Sequence, residues 1–337
     1  MSMVSVLDRP KTAFVTGAGG FLGSHLVEEL VEGGWHVQAF LRYDSASEIG
    51  LLSALSDEIL ETIEVIHGDI RDGVQMRQLI KGADCVFHLA ALVSVPYSYA
   101  APQQYFDTNV MGTLNILEAA RSMTSPPRVL LASSSEVYGS AVSLPIFEDH
   151  PLMPQSPYAA SKVSADHTAL SFHYSYDLPV ALIRSFNAFG PRQSLRAVIP
   201  TIVEQVLTPG TKGISLGALD TRRDFVWARD IARGYALAAA AGDEICGQTF
   251  HLATGDATSI ADLAQRIIDL AGRSDIGICQ DPTRLRPARS EVAALQGNAD
   301  LARNTFGWMP TVDLETGLAR IIDSFVTSST AYRGKVL

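Results

Sequence analysis

The segment TAFVTGAGGFLGSHL, residues 12–26, constrains the fold of this chain more than any other. A short apolar run ends at Gly17, and Gly17, Gly20 and Gly23 follow three residues apart. They open a stretch with apolar residues at Leu22, Leu26, Val27 and Leu30. Glycines at such positions let the backbone turn tightly and come close to a pyrophosphate, whose charge then meets the N-terminus of the following helix. Three glycines alone would serve a plain turn. In a strand–turn–helix at the head of a βα series they predict a dinucleotide site.

The series continues. TAFVTG (12–17), HVQAFL (36–41), IEVIHG (63–68), CVFHLAA (85–91), RVLLASS (128–134) and PVALIRSFN (179–187) read as strands, several apolar throughout. That is the pattern of parallel strands covered on both faces, and helix-like segments such as FLGSHLVEELVEGG (21–34) lie between them. The predicted class is α/β, a doubly wound parallel sheet. After about residue 185 the alternation breaks. Pro191, Pro200 and Pro209, then Gly210, Gly213 and Gly217, then the run DPTRLRPARSE (281–291), suggest a smaller, loop-rich C-terminal lobe over the strand ends. The expected division is 11–184 for the sheet domain, which also receives about 218–253, with a discontinuous lobe from 185–217 and 254–330.

With 26 basic and 36 acidic residues the chain carries a formal charge of −10, which argues against nucleic acid or an anionic membrane as the main partner. No apolar run approaches the ~18 residues of a membrane span. The start MSMVSVLDRP has neither the basic nor the apolar part of a signal peptide. Cys85, Cys246 and Cys279 are scattered, as in a reduced chain, and neither they nor the eight histidines show metal-ligand spacing. A cytoplasmic protein without a metal is expected.

Cofactor choice turns on the end of the second strand. An NAD site usually has an acid there, about 20 residues past the glycine turn. Here the place reads FLRYDS, with Arg42 where that acid would stand and Asp44 slightly late. Arg42 would suit the extra phosphate of NADP and tilts the choice that way, with NAD left open. In GDIRD (68–72), Asp69 and Ile70 are placed to bracket an adenine edge.

QSPYAASKVSADH holds Tyr158 and Lys162 four apart. Ser156 is a good N-cap and Pro157 a good first helical residue, so the two share one helical face. A nearby ammonium would lower the phenol's pKa and make it a base near neutrality.

Taken together, TGAGGFLG, HLAA (88–91), NVMGT (109–113), SSSEVYG (133–139), YAASK (158–162), FNAFGPR (186–192) and RRDF (222–225) resemble the extended short-chain dehydrogenase/reductases, and within them the NAD-dependent epimerase/dehydratase branch. The resemblance spans about 11–325. It implies a Rossmann-type sheet domain, a nucleotide-diphosphate sugar as substrate, and a tightly bound NAD or NADP. Cofactor contacts are implied at Gly17, Gly20, Phe21, Leu22, Gly23, Arg42, Asp69, Ile70, Leu89, Ala90, Ala91, Asn109, Tyr158 and Lys162. Ser134 is expected on the sugar's 4-hydroxyl, Tyr158 as the base that deprotonates it, and Lys162 on the nicotinamide ribose. Asn187, Arg196, Arg223 and Arg286 match substrate positions, the arginines suited to bidentate phosphate contact. His88 reads as a packed, hydrogen-bonded residue. A homodimer formed by helices near 103–122 and 157–175 is also implied.

Glu136 separates the branch's reactions. Epimerases need the hydroxyl and the tyrosine but no carboxylate after the serines. In the 4,6-dehydratases this chain resembles, a glutamate at this position takes the carbon-5 proton. Ser135 stands where the thymidine-diphosphate-glucose type has an aspartate, which leaves the acid for the departing hydroxyl open. VSVPYSY (93–99), GPRQSLRAVIPTI (190–202), LGALDTRRDF (216–225) and RLRPARSEV (284–292) resemble UDP-N-acetylglucosamine 4,6-dehydratases of the legionaminic acid pathway. The expected catalytic set is Ser134, Ser135, Glu136, Tyr158 and Lys162. UDP-glucuronate decarboxylase and nucleotide-sugar 4-epimerase stand as alternatives, and a non-catalytic cofactor sensor on the same fold as a third.

Overall fold

The computed structural model describes residues 11–333, with side chains to residue 327; the segment MSMVSVLDRP lies outside the described residues. Six strands, β1 (Thr12–Thr16), β2 (His36–Arg42), β3 (Glu64–Gly68), β4 (Cys85–His88), β5 (Arg128–Ser134) and β6 (Val180–Ser185), are joined by a seventh, Thr249–Leu252. Every pairing among them is parallel, and the order from one edge is Thr249–Leu252, β6, β5, β4, β1, β2, β3. The order reverses beside β1, and a doubly wound sheet opens a crevice at the carboxyl ends of its strands there.

Alternation along each strand separates the two faces. Ala13 and Val15 of β1 enter one apolar core with Leu26, Val27 and Leu30 of helix Phe21–Glu32, while Phe14 enters the other with Met76, Ile116 and Leu117. Both faces are covered, which is why the central strands of the sheet are largely apolar.

Three elements differ from expectation. The strand expected over 85–91 ends at His88, opposite Thr16, the last residue of its neighbour β1. The run 179–187 breaks at Phe186: β6 stays in the large sheet, and Asn187–Phe189 pairs with Phe225–Trp227 instead. The helix expected near 103–122 is divided into Pro102–Tyr105, a π-turn over Phe106–Met111, and Gly112–Arg121. Pro157–Tyr176 forms one helix, with the Ser156 hydroxyl accepting from the Ala159 amide at 3.1 Å and Pro157 in its first turn.

The C-terminal part has its own apolar core, built on Ile199, Ile202, Leu263, Ile267 and Leu318. The strand Arg222–Trp227 lies at its boundary with the sheet domain, with Phe225 and Trp227 in this smaller core and Val226 in the larger one. That strand pairs with Ala257–Ser259 and Ala294–Leu295. The following helix Ala228–Ala240 packs on Phe21–Glu32. From Ala228 the chain lies against the sheet layer again.

Asp224 pins this boundary. It is fully buried and accepts from the amides of Thr254 (2.9 Å), Gly255 (3.0 Å) and Gly297 (3.2 Å) and from the Thr254 hydroxyl (2.7 Å). Asp224→Ala would leave these donors buried without acceptors, at a cost of about 3 kcal/mol. The urea midpoint of unfolding should fall correspondingly, and an unchanged midpoint would contradict this role.

Candidate active site

A cavity of about 1030 Å³ opens at the carboxyl ends of the strands. Its floor begins at the glycine turn. Gly17 has φ +71°, and a Cβ there would lie 2.8 Å from the Ala90 nitrogen; one on Gly23 would lie 2.1 Å from the Gly17 carbonyl oxygen. Only bare backbone lets helix Phe21–Glu32 and the 89–91 loop close on the turn. Gly17, Gly20, Phe21, Leu22 and Gly23 line the cavity, as do Leu89, Ala90 and Ala91 across from them.

At the far end the cavity reaches Arg42, Asp69 and Ile70. The Asp69 carboxylate is taken by Arg71, whose Nε donates to Oδ1 at 2.9 Å and Nη2 to Oδ2 at 2.5 Å. This hydrogen-bonded guanidinium holds the Asp69 carboxyl below its ordinary range. Arg71 also lines the cavity and adds a second cation beside Arg42, with Asp44 and Glu48 as nearby acids. The sequence signal for Arg71 was present in GDIRD, two residues past the aspartate.

Asn109 is engaged within the protein. Its side chain is buried, Oδ1 accepting from the Leu92 amide at 2.7 Å and Nδ2 donating to the Leu92 carbonyl (3.1 Å) and to Ser161 Oγ (2.9 Å). Both amide hydrogens are used, and Asn109 is absent from the cavity wall while its neighbour Thr108 is on it. It braces the 92–94 loop against helix Pro157–Tyr176. Tyr105 assists, its hydroxyl reaching the carbonyls of Val93 (2.5 Å) and Ser94 (2.7 Å). Ser94 sits at φ +86°, a strained conformation held by these contacts. Val93 and Ser94 on the wall belong to the segment VSVPYSY, whereas Gln104 and Thr108 beside them carry no sequence pattern that would single them out. His88 is packed as expected, between the hydroxyls of Thr16 (2.8 Å) and Thr113 (3.1 Å), with burial pushing its pKa down to about 3.

The chemistry-bearing residues gather at the mouth of β5. Ser134, Ser135 and Glu136 line the cavity together with Tyr158 and Lys162. The Ser134 hydroxyl accepts from the Glu136 amide at 3.2 Å, opening the turn Ser135–Tyr138. Tyr158 stacks edge-on to Tyr105, with 6.1 Å between ring centroids. Desolvation raises its pKa to about 12, opposed by a hydrogen bond with Ser134. Lys162 donates to the Ala132 carbonyl at 2.5 Å, and burial brings its pKa down to about 8, opposed by Asp166. At Tyr158 desolvation is the larger influence and the Ser134 hydrogen bond the main opposition.

Glu136 faces two arginines. Arg286 Nη1 is 3.5 Å from its Oε1, an ion pair without hydrogen-bond geometry that leaves that nitrogen buried and unpartnered. Arg223 is 6% exposed and donates to the Arg222 carbonyl at 2.9 Å. Burial lowers its pKa, and the charge of Glu136 is the largest effect opposing this. Asn187 lines the cavity with its Oδ1 buried and unpartnered. Arg196 stands exposed before helix Val198–Leu207, and like Arg223 and Arg286 it is not among the residues lining the cavity.

The cradle has the shape and donors of a dinucleotide site, with bare backbone at the turn and cations at one end. Residues 14–321 match the family model described as GDP-mannose 4,6 dehydratase. The chain is 32% identical to a UDP-glucose 4-epimerase from Mycolicibacterium smegmatis, over 94% of this chain and 98% of that one. It is also 32% identical to a dTDP-glucose 4,6-dehydratase from Streptomyces antibioticus, over 92% and 90%. The structure of DesIV, a dTDP-glucose 4,6-dehydratase from Streptomyces venezuelae solved with NAD bound, is similar with a TM-score of 0.82 at 30% identity, covering 95% of this chain and 98% of that one. The chain belongs to the GDP-mannose 4,6-dehydratase family, within the nicotinamide-dependent enzymes that dehydrate or epimerise nucleotide sugars.

Proposed function

We propose that the enzyme is a nucleotide-sugar 4,6-dehydratase that converts UDP-N-acetylglucosamine to its 4-keto-6-deoxy derivative with loss of one water. The observation that carries this reading is the placing of the Glu136 carboxylate on the same wall as Ser134 and Tyr158. Oxidation at carbon 4 needs only a hydroxyl partner and a base for the 4-OH proton, roles for Ser134 and Tyr158. The bound nicotinamide supplies a hydride acceptor that is restored within each turnover. Once carbon 4 is a ketone, the carbon-5 proton is acidic, and Glu136 is the base within reach. Elimination would then expel the 6-hydroxyl as water with the proton that Glu136 took from carbon 5, and return of the hydride to carbon 6 would be matched by transfer to carbon 5 of the proton that Tyr158 took from the 4-hydroxyl. Lys162 would hold the nicotinamide ribose, and Arg223, Arg286 and Asn187 the substrate diphosphate. The Ser134-Ser135-Glu136 run and the segments around 93–99 and 284–292 support the N-acetylglucosamine reading. Arg42, with Arg71 beside it, supports NADP. A cytoplasmic homodimer paired through the helices near 103–122 and 157–175 completes the proposal; Phe106 and Met111 are exposed on the first of these.

A 4-epimerase is the second reading, favoured by the 32% identity to the Mycolicibacterium smegmatis enzyme. Mass spectrometry of products from UDP-N-acetylglucosamine, UDP-glucuronate and UDP-glucose separates the possibilities. A loss of one water from the first is expected. Only the 4-epimer, or carbon dioxide released from the glucuronate, would sink the proposal.

Glu136→Gln should slow dehydration by about 10²–10⁴-fold, while oxidation at carbon 4 continues and reduced cofactor accumulates on the protein. Lost turnover without reduced cofactor would argue against a base at this position. Arg42→Ala should weaken NADP binding by about tenfold and leave NAD binding nearly unchanged; equal losses for both cofactors would show that Arg42 does not read the extra phosphate.

A further inference from the structure

One helical turn beyond Lys162 is Asp166, as Lys162 is one turn beyond Tyr158, so positions 158, 162 and 166 share one face of helix Pro157–Tyr176. Asp166 is 1% exposed. Its Oδ2 accepts from Ser133 Oγ (2.6 Å) and from Arg184 Nη2 (2.9 Å) and Nε (3.2 Å). Its Oδ1 is buried with no hydrogen-bond partner among the described residues. Arg184 is fixed in turn, donating to the Tyr138 hydroxyl at 2.8 Å, which meets His251 Nε2 at 2.5 Å.

This cluster lies directly behind the chemistry described above. Ser133 precedes Ser134 on β5, and Ala132, the acceptor for the Lys162 ammonium, precedes Ser133. Lys162 is only 5% exposed. An ammonium buried against a single neutral carbonyl would shed its proton unless a negative charge stood close by. One oxygen of Asp166 is spent on Arg184 and Ser133, and the other has no contact that neutralises it.

We propose that Asp166, clamped by Arg184 and Ser133, is a positioning residue that keeps the Lys162 side chain charged and seated behind Tyr158. The inference rests on the roles given to Tyr158 and Lys162 in the proposed function. Among the described residues, Asp166 is the group whose charge opposes the burial of Lys162. From the neighbouring elements, His88 on β4 is neutral, Glu136 and Tyr105 act on Tyr158, and Arg184 on β6 is engaged with Asp166 and Tyr138. A buried ion pair with a purely structural role would hold the fold together without moving the titration of Lys162.

The chain has five lysines, Lys11, Lys81, Lys162, Lys212 and Lys335, so protein labelled with ¹³Cε-lysine gives few resonances, and Lys162→Met assigns the one of interest. In Asp166→Asn the Lys162 midpoint should fall by about one pH unit, and the alkaline limb of oxidation at carbon 4 should fall with it. Removing one partner of a buried pair can unfold a protein, so the neutral pair Asp166→Asn with Arg184→Met serves as the second variant, in which the midpoint should also fall. An unchanged or higher Lys162 midpoint in either folded variant overturns the proposal. The NMR titration needs no substrate, so failure of every tested nucleotide sugar to react would overturn the function above and leave this inference decidable.

Discussion

The near-contact of two glycines determines the geometry of the whole active face. At 2.1 Å, a Cβ on Gly23 would overlap the Gly17 carbonyl, so helix Phe21–Glu32 sits directly on the turn that ends β1. That closeness aims the helix N-terminus into the crevice beside the point where the strand order reverses. It also brings the 89–91 loop against the turn, through Gly17 and Ala90. The opposite wall, carried by β5 and helix Pro157–Tyr176, then faces this cradle across one cavity.

That opposite wall shows how one helix can hold three side chains of different electrostatic character. Tyr158 faces the cavity, desolvated and reluctant to ionise. Lys162 is buried and brought close to its deprotonation point. Asp166, deeper still, is held by a guanidinium and a hydroxyl. Burying polar groups is unfavourable unless each finds a partner. Here the partners come from β5 and β6, so the strand ends, the helix and the 135–138 turn constrain one another.

Sequence reading located most of this because the signals were local. The glycine spacing, the cap at Ser156 and Pro157, the four-residue interval from Tyr158 to Lys162, and the serines and glutamate after β5 each depend on neighbours in the chain. What it left out has a common cause. The amide of Asn109 is consumed by Leu92 and Ser161, the latter 52 residues away. Arg196 has the right chemistry but stands exposed before helix Val198–Leu207. The four-residue interval from Tyr158 to Lys162 was legible, but desolvation of each group depends on what the rest of the chain packs around it. The role of Asp224 at the boundary also escaped notice, since its partners lie about 30 and 73 residues away.

By itself the sequence determined the parallel α/β class, the dinucleotide cradle and the family, because backbone sterics and residue periodicity act over a few positions. Tertiary structure alone decided which side chains reach the cavity, where the chain passes between the two cores, and how each ionisable group is poised. Burial and charge depend on atoms brought together from distant parts of the chain, and no local pattern records them.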